Sequence, residues 1–359
     1  MEAIGKCQGL ASLWLSNSIL YSEGVRTLLV ACANIGKATE REGEDRNGIR
    51  ENRTGGLAKL HLEDLSIREC SEDVFSGSTP FPHLEHLDIQ KIRGIAPKDV
   101  LKLLQRCPNL KSFCWRDVFT RESFLIDQWV KHVESGAWSR LTCLDVQGEE
   151  FHDEGLSCVF KNLQSPLEKL MVRETGFGPM AFEALITTKR HYCHIRALDL
   201  SLCMDTTSSM IQKIMTKMPA LVYFSANRLF VTDILGTSRE DQNDNDDDQE
   251  WVCKNLRTLK LCIDMGVGSD PNTLEYEERQ RQVYSRLSEL EFLETLEVGN
   301  LLFLRDTEVQ RLDSRPNAGF GQLLSLKRLK VVSIKQGHSL ALKDIELMMA
   351  KKMEDEPKR

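Results

Sequence analysis

No run of about eighteen apolar residues, the length a helix needs to cross a bilayer, occurs in the 359-residue chain, so a membrane span is not expected. The first twenty residues, MEAIGKCQGLASLWLSNSIL, carry one lysine and no clean apolar core, and read as a poor signal peptide. Basic charge is not in excess: 47 Lys and Arg stand against 54 Asp and Glu, and no basic domain of the kind that binds nucleic acid is present. The eleven cysteines are odd in number and contain no Cys-x-x-Cys pair, so reduced thiols in the cytosol or nucleus are expected rather than a disulfide framework. Cys107, Cys143 and Cys203 lie among leucines and read as small core or near-core residues.

Catalytic signatures are missing as well. There is no G-x-S-x-G elbow and no phosphate-binding lysine loop, and GVGSDP (266–271) does not complete G-x-G-x-x-G. Neither an enzyme nor a cofactor is expected. HYCH (191–194) and HLEH (83–86) each pair two possible ligands, but no second pair follows at zinc spacing. Asp244 to Asp248 lack the turn glycine and closing glutamate of a calcium loop. They belong to REDQNDNDDDQE (239–250), seven acids and one arginine, whose local net of −6 leaves the remainder of the −7 chain near neutral at −1. Such a block reads as a solvated loop.

What the chain has in abundance is one pattern, apolar-x-x-apolar-x-apolar. HLEHLDIQ (83–90) shows it: Leu84, Leu87 and Ile89 are spaced three and then two, which fits neither a helix nor a plain strand. LASLWL (10–15), LAKLHL (57–62), LEHLDI (84–89), LKSFCW (110–115), LTCLDV (141–146) and LEKLMV (167–172) are followed by five more copies. These are IRALDL (195–200), LVYFSA (221–226), LRTLKL (256–261), LETLEV (293–298) and LKRLKV (326–331). Five of the ten intervals are 26 to 28 residues, a period that signals a solenoid of one strand and one helix per turn. The last two apolar residues of each copy point inward from a strand, and the first turns in from the corner before it. A single unit leaves its apolar side half exposed, so only stacking buries it.

Helical periodicity fills the intervals at 96–107, 120–133, 153–163, 178–188 and 206–218, with Pro97 suited to a first helical turn and Thr120 to a weak cap. The expectation is an α/β leucine-rich-repeat solenoid, a right-handed horseshoe with parallel strands inside and helices outside. A single array spans 1–350, with insertions at 36–56, 237–251 and 305–321 and a charged tail at 351–359. The first copy starts near Met1 without a polar capping unit, so a preceding segment is expected; 340–359 suits a closing helix.

LLQRCPNLKSF (103–113) and IMTKMPALVYF (214–224), a helix end, a Cys-Pro or Met-Pro turn and a strand opening on leucine, resemble the cysteine-containing and ribonuclease-inhibitor-like repeats of fungal F-box proteins. FHDEGLSCVFKNL (151–163) is similar to the D-x-G-L-x-x-L segment of the same repeats. The resemblance implies substrate recognition for a Skp–cullin ubiquitin ligase. It departs from the family in that no F-box helix trio precedes Leu10, so docking to a ligase is implied only if such a box lies upstream.

Strand alternation puts one residue of each copy on the concave face between the two inward apolar positions. These are Trp14, His61, Asp88, Cys114, Asp145, Met171, Asp199, Ser225, Lys260, Glu297 and Lys330, flanked by Lys59, His86, Lys169, Tyr223 and Arg328 one register earlier and by Arg116 and Arg173 one later. Any one of them is accounted for by solubility alone. Together, Asp88, Arg116, Asp145, Arg173, Asp199 and Tyr223 form the candidate surface for a protein partner. The alternatives are a GTPase activator using Arg46, Arg50 or Arg53, and a plain scaffold without a ubiquitin link.

Overall fold

The computed structural model describes residues 10–34, 56–68, 80–93, 97–116, 125–231, 234–235, 250–263, 273–298, 319–335 and 338–341. The chain divides into two compact units, Met1–Lys169 and Leu170–Arg359.

Unit 1 runs β1 (Ser12–Tyr21), α1 (Ser22–Asn34), β2 (Lys59–Arg68), β3 (His86–Gln90), α2 (Pro97–Gln105), β4 (Ser112–Arg116), α3 (Leu125–Glu134), β5 (Cys143–Gln147) and α4 (Asp153–Asn162). Its strands pair in parallel and in sequence order, with the motif in register. Leu60 lies opposite Leu87, Leu87 opposite Phe113 and Phe113 opposite Leu144. The leading leucines Leu84, Leu110 and Leu141 are fully buried at the corner before each strand. That corner is held by backbone bonds such as His86 N–H to the Ala58 carbonyl at 3.0 Å and Ser112 N–H to Glu85 at 3.0 Å. The three-then-two spacing is thus a buried corner followed by a strand.

Unit 2 repeats the plan with β6 (Lys169–Arg173, entered across the boundary), α5 (Pro179–Thr187), α6 (Lys189–Tyr192), β7 (Ala197–Asp199), α7 (Ser208–Lys217) and β8 (Tyr223–Val231). It continues with β9 (Thr258–Ile263), α8 (Leu274–Ser288), β10 (Thr295–Val298), a 3-10 turn (Phe320–Ser325), β11 (Val331–Lys335) and β12 (His338–Ala341). From β7 to β11 the pairing is again parallel and sequential. Each unit is therefore built as an α/β leucine-rich-repeat solenoid.

Two features go beyond the six-residue motif. Another buried apolar residue stands three positions before the leading one in several copies: Phe81, Cys107 and Trp138 in unit 1, and Met218, Cys253 and Leu290 in unit 2. A left-handed residue also recurs three places after the centre of the motif, inside the long strands β1 and β2 and past the ends of the shorter ones. Asn17, Asp64, Lys91 and Gly148 occupy it in unit 1, Glu174 and Leu202 in unit 2. Glycine, asparagine and aspartate tolerate this backbone, whereas lysine, glutamate and leucine are held there by the pairing on either side.

The expected helices match to within a few residues, except that the Thr120 cap lies outside the described residues. At the start of α4 the His152 ring nitrogen Nδ1 accepts the Gly155 N–H at 3.1 Å. Gly155 is required by the neighbouring helix: a Cβ there would lie 2.2 Å from Cγ1 of Ile126 on α3. Beneath α3, Trp129 meets Phe113, Trp138 and Phe151 at centroid separations of 5.0 to 5.4 Å. Helix α8 has no counterpart among the expected elements. Its long charged sequence hides a buried stripe of Tyr276, Gln280, Val283, Tyr284 and Leu287 behind a Thr273 cap.

The last repeat corrects the sequence register. The six-residue motif puts the inward pair at Leu329 and Val331, but Leu296 pairs with Val332 and Glu297 with Ser333. Leu323, Leu326, Leu329 and Val332 are all buried and three apart, so the apolar pattern fits at two phases and only the strand pairing selects one. Leu340 and Ala341, assigned to a closing helix, lie in β12 antiparallel to β11, and the rest of 340–359 falls outside the described residues. The insertions also fall outside them, apart from Gly56, Glu250, Trp251 and 319–321.

Candidate interaction face

In unit 1 the predicted row is in register: Trp14 beside His61, His61 beside Asp88, Asp88 beside Cys114 and Cys114 beside Asp145. Parallel strands stand about 4.8 Å apart, close enough for row neighbours to touch. The Trp14 and His61 rings pack edge to face, 4.4 Å between centroids, with Trp14 67% exposed. The two ring nitrogens of His61 face carboxylates, Asp88 at 2.8 Å and Glu63 at 3.4 Å. The Gln90 amide donates to both oxygens of Asp88 at 2.9 and 3.0 Å.

Further along the row, Arg116 grips Asp145 with two parallel bonds, its Nε donating to Oδ1 at 2.7 Å and its Nη2 to Oδ2. Lys169 approaches the same carboxylate at 3.7 Å. The bidentate geometry is the strong form of this pairing, and the hydrogen bond to Asp145 pushes the Arg116 guanidinium further into its charged form. The Asp145 side chain is only 3% exposed and that of Arg116 26%.

Unit 2 aligns Asp199, Ser225, Lys260, Glu297 and Ser333. Arg173 reaches Asp199 at 3.7 Å, and the other Asp199 oxygen accepts the Ser201 N–H at 3.0 Å. Lys260 and Glu297 pair at 2.9 Å. Burial raises the pKa of the half-buried Tyr223 hydroxyl, with a smaller contribution from the Asp199 charge. Ser333, not Lys330, holds the final place; Lys330 lies on the strand-entry side, bonded to Glu294 at 2.5 Å.

Two expectations about this row change. Strand alternation makes Asp145 and Asp199 exposed residues, but both are buried, as are Cys114, Met171 and Ser225. The physical reason is the close strand spacing: long arginines from the next register fold over the short carboxylates. The surface therefore shows the arginines, Asp88 and Trp14 more than the row's own centre. Glu63 and Gln90 are absent from the expected set, although they occupy the register of Arg116 and Arg173 and extending that register by two strands finds them.

Chemically the face offers fixed charges and hydrogen-bonding groups. Its one central thiol, Cys114, is driven well above the ordinary thiol range by burial and by Asp145 and Asp88, so it is held protonated. His191 is buried while His194 is exposed and bonded to the Arg190 carbonyl, so HYCH does not converge. Among the described residues no group of three His, Cys, Asp or Glu side chains is arranged to hold a metal, and no helix is long and apolar enough to cross a membrane. A shallow groove on unit 2, lined by Glu250, Lys254, Glu289, Glu291 and Phe292, is bridged by Lys254, which pairs with Glu250 at 2.9 Å and Glu289 at 3.2 Å. Arg46, Arg50 and Arg53 lie outside the described residues.

No family model matches the chain, and no curated protein matches it. Among solved structures it is similar to the protein in the crystal structure of a TLR13–ssRNA13 complex, at 15% identity and a TM-score of 0.41. The match covers 78% of this chain and 32% of that one, so the chain spans about a third of that protein's length. The architecture rests on the chain itself: among the described residues, parallel strands follow one to a repeat, and the apolar motif residues are buried from Leu57 to Val298.

Proposed function

We propose that the open strand face recognises a protein, and that the chain is the substrate-recognition part of an F-box-type ubiquitin-ligase adaptor. The observation that carries recognition is the in-register row from Trp14 to Asp145, where an exposed indole, the Asp88 carboxylate and the Arg116 guanidinium over Asp145 meet solvent side by side. Its charges are held by neighbours, so little side-chain freedom is lost on binding, and an exposed tryptophan is the side chain most often found at the energetic centre of an interface. The adaptor role is supported by the Cys-Pro and Met-Pro repeat turns and by the D-E-G-L segment, whose glycine has a packing reason in the contact with Ile126.

The test is affinity capture with the tagged full-length gene product, wild type against the Trp14→Ala, Asp88→Asn double variant, each checked for an unchanged unfolding midpoint. Recognition requires partners that the wild type retains and the variant loses. Equal capture by both removes this face from the function. Capture of partners without any Skp or cullin subunit leaves the recognition module and removes the ubiquitin link.

A further inference from the structure

Several cations of unit 2 are neutralised within the fold. Arg257 pairs with Glu294 at 3.7 Å, Lys260 with Glu297 at 2.9 Å and Arg281 with Glu278 at 2.6 Å. The stretch from α6 to the end of α7 breaks this habit. Lys189, Arg190, His194, Arg196, Lys213 and Lys217 are all exposed there. Lys189, Arg196, Lys213 and Lys217 make no ion pair among the described residues. The acids of the same stretch are Asp199, buried and facing Arg173, and Asp205.

The fold brings the segments that carry them together. The Val222 and Tyr223 N–H groups both donate to the Arg196 carbonyl, at 2.8 and 2.9 Å, which brings the chain just after α7 against the chain just after α6. Lys217 closes α7 a few residues before Val222, and Lys213 lies one helical turn back on the same side. The His194 ring nitrogen Nδ1 sits 2.9 Å from the Arg190 carbonyl, tying His194 back to α6. A cation in the last turn of a long helix complements its dipole, which accounts for Lys217 but not for Lys189, Lys213 or Arg196.

We propose that this strand-entry face of unit 2, separate from the open strand face, docks an acidic peptide segment of a partner protein. Charge complementarity selects the occupant: uncompensated cations on adjacent turns attract a run of carboxylates and accelerate its capture. A nucleic acid strand fits less well, because Tyr192, the aromatic within this stretch, is half-buried rather than presented for base stacking.

The test uses the full chain and a fluorescein-labelled peptide of about twelve glutamates, read by anisotropy as salt rises between about 50 and 200 mM. The wild type is expected to bind and to weaken with salt. The Lys189→Glu, Arg196→Glu double variant is expected to lose about 10-fold or more in affinity with its unfolding midpoint unchanged. Lys131→Glu with Arg140→Glu, an equal charge change on unit 1, is expected to leave binding within about 2-fold. Equal loss in both double variants overturns the site, since binding would then follow net charge alone. Tighter binding of an oligouridylate of equal charge, abolished by the unit 2 variant, overturns the peptide as occupant. Binding that emerges only when the chain's own Asp244, Asp246, Asp247 and Asp248 are changed to Asn overturns a partner in favour of this chain's own acidic block.

Discussion

Asp145 shows how much one buried charge depends on its neighbours. It is removed from water, gripped by two Arg116 bonds and approached by Lys169. Asp145→Ala leaves both cations facing an empty site, and we expect a loss of about 2–3 kcal/mol in urea unfolding. That is less than a fully buried pair because part of the Arg116 side chain reaches solvent. Asp88, half-exposed and paired with His61 and Gln90, is expected to cost within about 1 kcal/mol when changed to alanine. Equal losses at the two positions would show that burial does not separate them. His132 is a second residue with a readable signature. Burial against Trp138 lowers its pKa, and burial and Lys59 do the same for His86. A histidine kept neutral in the folded state binds fewer protons than in the unfolded one. Stability is therefore full above the unfolded value of about 6.5 and falls as the pH drops from there towards the lower folded values. His132→Gln is expected to flatten part of that acid slope in unfolding curves taken between about pH 7 and 5.

Elements in this chain are defined by what they pack against. Gly155 lets α4 approach α3, and the methyl of Gly155→Ala would collide with Ile126. A cost of about 1–3 kcal/mol is expected despite the better helix propensity of alanine, measured as a lower thermal midpoint. Gly155→Ala with Ile126→Val is expected to recover part of it, because shortening the aliphatic side chain gives the methyl room. The final strand offers a test of register. Ser333 is buried in the row and Lys330 is exposed. Ser333→Asp should therefore destabilise by several times as much as Lys330→Ala, for an unpaired buried carboxylate costs at least several kcal/mol. The reverse order would return the strand to the phase that the apolar pattern alone suggested.

At the scale of the molecule, the nine described cysteines are all free, and they divide by burial. Cys107 and Cys253 are fully enclosed, and desolvation pushes both thiols up to about 12. Burial also raises the pKa of Cys203. Cys158 and Cys193 are partly exposed. Native alkylation near pH 8 followed by peptide mass mapping is expected to label Cys158 and Cys193 first and to spare Cys107, Cys203 and Cys253 until the chain unfolds. Early labelling of the second group would contradict the repeat packing, because each of these thiols takes a core position in its turn.

Much of this was legible in the residues themselves. Apolar side chains spaced three and then two, at intervals of 26 to 28, determine a strand and corner stacked on a copy of themselves, because no single unit can bury its own apolar side. Helices such as α2 and α4 followed from the helical period of the intervals between the copies. The sequence by itself therefore determined the repeat class, the core positions and the row on the open face. It did not determine which row members meet solvent: Asp88 and Asp145 hold identical places in the motif, yet only Asp145 is covered by a neighbouring arginine. It did not determine the phase of the last strand, where leucines three apart satisfy two registers. Those decisions belong to the tertiary structure, because burial and register are properties of what lies on the adjacent strand, and a local motif carries no information about its neighbour.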